Sequence, residues 1–253
     1  MIPLIALIVI VCFAVYFLSG QNEKKIIERV IIDRALLEEN VLFYSKLNPG
    51  DKQQFEKDVS DFLTDVKITG IDTIAEELDR HLIAAAAIIP IFYFKQWKYH
   101  NLQEVFLYSD SINMNFESTG NTDRNILGMV GAGVYDGKMF LSKHSLRTGF
   151  DNKSDKSNTA IHEFVHLIDK ADGDTDGIPA ILIDKTFVLP WLDLIQEQMQ
   201  QIAKNKSDIS PYATMNKAEF LSVAAEYFFE RPDLLESKHP KLYAMLKQIF
   251  APS

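Results

Sequence analysis

The first pattern along the chain is an unbroken apolar run. From Ile2 to Leu18 every residue except Pro3 is strongly apolar or small, and Ser19-Gly20-Gln21-Asn22 ends the run. That length approaches one bilayer-spanning helix. No Lys or Arg precedes the run, whereas Lys24, Lys25, Arg29 and Arg34 follow it. The positive-inside rule then predicts a single-pass anchor over residues 1–20, held in a bacterial inner membrane through residues 2–18, with the rest of the chain on the cytoplasmic side. A cleaved signal peptide is the competing reading, but the segment has no basic n-region and no clear small-x-small site before Gln21.

Beyond the anchor the periodicity turns helical. Ile27, Val30, Ile31, Leu36 and Leu37, then Phe55, Val59, Phe62 and Leu63, recur at helical spacing, so residues 21–100 read as mainly helical. Asn48-Pro49-Gly50-Asp51 reads as the turn between two of these helices. The stretch Ile83 to Ile89 is apolar all round, as a helix buried on every side would be, and Pro90 marks its end. Strand character starts at Val105–Tyr108 and returns in Met129–Val134 and Met139–Ser142. Asp136-Gly137 between the last two is a hairpin signal, so residues 101–150 read as a β-ribbon region. After a polar loop over Asp151–Asn158, residues 157–253 read as helices, broken near Gly173–Gly177 and at Pro190, Pro211 and Pro232. The expected fold is α+β, mostly helical with a small mixed β-sheet, in one domain over residues 21–253.

Composition adds exclusions rather than a fold. Apolar residues make up 47% of the chain and charged residues 24%, which is ordinary for a globular protein. The net charge of −9 and the lack of any Lys/Arg cluster argue against nucleic acid as a partner. Cys12, the one cysteine, lies inside the apolar run, so no intramolecular disulfide forms and any metal must be held by His, Asp or Glu.

The chemistry concentrates in His162-Glu163-Phe164-Val165-His166. Two histidines four apart on a helix lie on one face, so both imidazoles can reach one tetrahedral ion, with Glu163 beside them to handle a water molecule. By chance such a motif arises in about one chain in a hundred of this length, so its surroundings matter. Ser157-Asn158 offers an N-cap, and Ile161, Phe164, Val165 and Ile168 form an apolar stripe behind the ligand face. Asp169 lies on the same face, where it either accepts the second ring N–H of a ligating histidine or is a solvated helix-end carboxylate. Asp172-Gly173-Asp174-Thr175-Asp176-Gly177 imitates the start of a calcium loop, but position twelve is Ile183 rather than a bidentate Glu, so it reads as a turn. His81, His100, His144 and His239 show no ligand spacing to one another.

A catalytic zinc needs a third protein ligand, and the helix from Asn216 offers Glu219 and Glu226. They share a face but stand about 10 Å apart along it, so at most one touches the ion. Asn216-Lys217-Ala218-Glu219 also looks like a capping box, in which Glu219 would only bind the helix N-terminus. Spacing alone leaves the choice open.

These residues resemble the Mlc titration factor A family of peptidases, zinc proteins of the gluzincin type related to the catalytic core of anthrax lethal factor. The likeness covers about residues 40–250. It is carried by Leu82–Ala87 before Pro90, by Ile161–Asp169, by Asp172-Gly173 through Gly177-Ile178-Pro179, and by Ala218-Glu219-Phe220 with Ala225-Glu226-Tyr227-Phe228-Phe229. The resemblance implies a zincin-like fold and one Zn2+ per chain held by His162, His166 and Glu219. It implies Glu163 as the catalytic carboxylate and Tyr212, seven residues before Glu219, as a transition-state hydrogen-bond donor. The expected function is therefore zinc-dependent hydrolysis of peptide bonds in a peptide or protein substrate, with Glu163 as general base. The alternative is a regulatory protein that sequesters a cytoplasmic partner such as a transcriptional regulator, with weak or vestigial hydrolysis. The apolar N-terminal run departs from the soluble members of the family.

Overall fold

The computed structural model describes residues 30–95, 97–110, 127–152 and 154–252. The predicted anchor at residues 2–18 lies outside them, and among the described residues no helix is long and apolar enough to cross a membrane.

Local signals start most helices. Asp33 caps α1 (Arg34–Asn40) by accepting the N–H groups of Ala35 and Leu36, and the short α2 (Leu42–Ser45) follows. Asn48-Pro49-Gly50-Asp51, expected as a turn, is instead the start of α3 (Pro49–Asp65). Asn48 accepts the N–H groups of Gly50 and Asp51, each at 3.0 Å. Pro49 sits at the first helical position, where its missing N–H costs nothing. The expected all-round apolar helix is α4 (Glu77–Ile88), in which Ile83 to Ala87 have no exposed surface. It gives way to a 3-10 turn at Ile89–Ile91 that contains Pro90. Asp79 in its first turn is fully buried because Arg147 and Lys143 neutralise it at 2.7 and 3.2 Å.

The sheet has four strands in the order β1 (Lys67–Ile71), β2 (Glu104–Tyr108), β4 (Lys138–Ser142), β3 (Gly128–Val130). β1–β2 and β2–β4 are parallel and β3–β4 is antiparallel, with Met129 opposite Phe140. Two expectations change here. β1 falls in the stretch read as helical, because its five residues bury only Ile68 fully. Its strand state comes from pairing with β2, which local pattern does not reveal. The antiparallel ribbon exists but is shorter than Met129–Val134, since a 3-10 turn at Gly133–Tyr135 closes the chain on itself before Asp136-Gly137.

Downstream run α5 (Lys143–Asp151), α6 (Thr159–Asp169), α7 (Val188–Ala203), α8 (Lys217–Glu230), α9 (Pro232–Lys238) and α10 (Pro240–Phe250). Pro190 does not break α7. It occupies the first turn, where the N–H would have no helical partner. The helix carrying the histidines, α6, touches α4, α5, α8, β3 and β4. Phe164 anchors it, edge-on to Phe62 and Tyr99 at ring centroid distances of 5.7 and 5.2 Å. The result is mostly helical with a small mixed sheet, and the histidine helix lies at its centre.

Candidate metal centre

The chain enters α6 through Asn158, which is fully buried and accepts the N–H of Ile161 at 3.2 Å. Ile161, Phe164, Val165 and Ile168 are buried on the inner face, so His162 and His166 turn towards α8. α8 begins at Asn216, whose side chain accepts the Glu219 N–H at 2.9 Å. That bond uses only the Glu219 backbone and leaves its carboxylate available. The carboxylate meets the two imidazoles rather than closing the capping box.

Three atoms converge. Glu219 Oε2 lies 3.0 Å from His162 Nε2 and 3.3 Å from His166 Nε2, and the two ring nitrogens are 3.1 Å apart. Ligands about 2.0–2.1 Å from a tetrahedral ion sit roughly 3.3 Å from one another, so the spacing fits one ion. No other group of three His, Cys, Asp or Glu with converging atoms occurs among the described residues. The Asp172–Gly177 segment is a turn built on its own backbone, with Asp172 and Asp176 accepting the Asp174 and Ile178 N–H groups.

Glu226 takes the position that sequence left unassigned. Its Oε1 lies 2.7 Å from His162 Nδ1, while Oε2 accepts the Asn158 N–H at 2.7 Å and the Ser157 hydroxyl at 2.9 Å. A carboxylate at Nδ1 keeps a proton there and leaves Nε2 to face His166 and Glu219. Burial works against charge on His162, but the Glu219 and Glu226 carboxylates more than reverse this and hold its pKa up to about 10. Glu219 is affected the opposite way. Although burial raises its pKa, the two histidines hold it well below the usual carboxylate range. A metal entering here displaces the proton on Nε2, so binding weakens as pH falls. Replacing Glu226 by Gln puts an amide donor where Oε2 accepts two bonds. It is expected to weaken metal binding by about 10- to 100-fold in chelator competition, and unchanged affinity would remove Glu226 from this role.

Glu163 is 6% exposed, and desolvation raises its pKa. It packs against β3 so closely that a Cβ on Gly128 would sit 2.7 Å from both its Cγ and Oε1. Only a glycine leaves room for that side chain, a requirement that periodicity does not expose. Tyr212 is half-exposed, with its ring centroid 6.0 Å from that of His162. Burial, then the charges of Glu219 and Glu163, raise its pKa, so the phenol stays a donor. Asp169 fits neither expectation. It is 1% exposed and accepts the Gly177 N–H at 3.0 Å.

A cavity of about 890 Å³ opens beside His162 and Glu163, with Leu127, Ile209, Met215 and Val223 on its walls. Asp208 fixes its far side by accepting bonds from Lys156, Lys238, His239 and Tyr227 at 2.7, 2.9, 2.7 and 3.0 Å. Burial raises the Asp208 pKa, but these four donors hold it well below the usual range.

Comparison with known proteins places the chain among relatives. A protein of Synechocystis sp., itself uncharacterized, is 26% identical over 243 residues, covering 90% of this chain and 87% of its own. Mlc titration factor A of Pectobacterium atrosepticum is 30% identical, and that of Escherichia fergusonii 31%, each over 122 residues. Those alignments cover 45% of this chain and 44% of the titration factors, so the chain spans less than half of their length. The sequence model described as glucose-regulated metallo-peptidase M90 matches residues 21–251. A matched segment that holds both histidines, Glu163 and Glu219 places the chain in a family: it belongs to the M90 metallo-peptidases.

Proposed function

We propose that this protein is a zinc-dependent peptidase, with His162, His166 and Glu219 as the ligands of one Zn2+ and with Glu163 and Tyr212 as its catalytic side chains. The observation that carries the reading is the convergence of three ligand atoms within 3.3 Å beside a buried carboxylate. Nitrogen and carboxylate donors in a tetrahedral set suit zinc.

When bound, the ion supplies Lewis acidity towards a water molecule and the scissile carbonyl. The protein's own residues do the rest. Glu163, made more basic by desolvation, takes the proton of the attacking water and delivers it to the departing amine nitrogen. Tyr212, protonated and beside His162, donates its O–H to the developing oxyanion. β3 lies at an edge of the sheet, so an extended peptide can add to it as a further strand and run past Glu163. The apolar N-terminal run would hold this activity at the cytoplasmic face of a membrane.

The test is metal analysis joined to hydrolysis of a peptide library. One zinc per chain is expected, with cleavage abolished by chelation and restored by zinc. Cleavage that persists in metal-free protein would sink the reading. The name Mlc titration factor A, borne by several relatives, supports a second one, in which the protein binds and sequesters a regulatory partner.

A further inference from the structure

Asp169 ends α6 three residues beyond His166, and nothing in the peptidase reading uses it. Its carboxylate is buried, with one oxygen on the Gly177 N–H and the other without a hydrogen-bond partner among the described residues. Burial pushes its pKa up to about 6, and the Gly177 N–H works against that rise.

That contact is a junction. Gly177, at φ +80, accepts the Trp191 indole N–H on its carbonyl at 2.7 Å. It also packs so tightly on the first residue of α8 that an added Cβ would lie 2.4 Å from the Lys217 carbonyl oxygen. Trp191 is fully buried, with its ring centroid 5.9 Å from that of Phe220. Glu219 lies between Lys217 and Phe220, so its backbone is held on both sides by Gly177 and Trp191. The other bonds joining α6 to α8 through His162, from Ser222 and Glu226, come later along α8.

We infer that Asp169 is a positioning residue for Glu219: through Gly177 and Trp191 it sets the height of the first turn of α8 against the histidine helix. Glu219 Oε2 must reach two ring nitrogens at once, and a shift of the turn would take it from one of them. The inference rests on the reading of His162, His166 and Glu219 as a metal site.

The test is zinc affinity, by chelator competition, together with the visible spectrum of the cobalt-substituted protein. It compares full-length wild type with Asp169→Ala, Asp169→Asn and Trp191→Phe. Leu37→Ala, a buried change in α1, serves as a destabilised control. Asp169→Ala is expected to weaken zinc about 10- to 100-fold and to alter the cobalt spectrum. Asp169→Asn, whose amide oxygen can still accept the Gly177 N–H, is expected to stay near wild type. Trp191→Phe removes the indole donor and trims a fully buried ring; it is expected to weaken zinc in the same direction and beyond what Leu37→Ala shows for destabilisation alone, so it decides the matter if Asp169→Ala does not fold. Wild-type affinity and spectrum in both Asp169→Ala and Trp191→Phe would overturn the inference. So would loss of affinity in Leu37→Ala in proportion to its fall in Tm. Absence of zinc binding by the wild type would instead overturn the metal reading, and this inference with it.

Discussion

Replacing Glu163 by Gln is expected to leave one zinc per chain and to lower kcat for peptide hydrolysis by about 10²- to 10⁴-fold, with little change in KM. Glutamine has nearly the same shape, so it fits the space that Gly128 leaves, where even a Cβ would come within 2.7 Å of the side chain. What it loses is the ability to take a proton. The fold should not suffer, because a desolvated carboxylate is replaced by a neutral amide, and thermal melting checks this directly. Metal analysis and steady-state kinetics on the same preparation separate the outcomes. A variant that keeps both zinc and activity would remove Glu163 from the chemistry. The same variant divides the two functional readings. A biological effect that disappears with the proton acceptor belongs to catalysis, and one that survives belongs to binding.

The second large effect is expected from Glu219→Ala. Under the proposed reading this removes one of three protein ligands and should cost more than the roughly 10- to 100-fold typical of an outer partner, leaving the protein metal-free in dilute zinc and inactive. Asn216 caps α8 through the backbone N–H of residue 219, which alanine retains, so the helix start should survive. A capping role alone predicts the reverse, namely a loss of roughly 1 kcal/mol of stability with zinc retained. Zinc content and urea unfolding of the same variant tell these apart. The His162 pKa, held up to about 10 partly by Glu219, should fall in the variant, as NMR titration of the metal-free protein would show.

How much of this was legible in the sequence differs from element to element. α6 was readable because cap, apolar stripe and ligand pair all follow one helical period. Spacing leaves the choice between Glu219 and Glu226 open, because it says nothing about how α8 crosses α6; only the family resemblance favours Glu219. The crossing uses both. His162 stands between the two carboxylates, with Glu226 on Nδ1 and Glu219 on Nε2, so two groups about 10 Å apart along a helix serve one imidazole. Helical spacing puts Asp169 on the histidine face, yet its partner is a backbone N–H eight residues on, set by a loop that periodicity does not describe. β1 was missed for a related reason: its partner β2 begins 37 residues further along, and only Ile68 marks a buried face.

The proposed ligands also bear on how the chain stays closed. His162 and Glu219 are 57 residues apart, and the intervening segment contains α7, the Asp172–Gly177 turn and the Asp208–Met215 part of the cavity wall. An ion gripped by both ends acts on that segment as a cross-link acts on a loop, removing conformations from the unfolded chain far more than from the folded one. In the metal-free protein the two ends are joined only by the hydrogen bonds at His162 and by the packing of Gly177 and Trp191 on the start of α8. Proteolysis in the 170–215 stretch would therefore report the state of the centre from outside it, with cleavage there rising when the ion is withdrawn and falling when it returns.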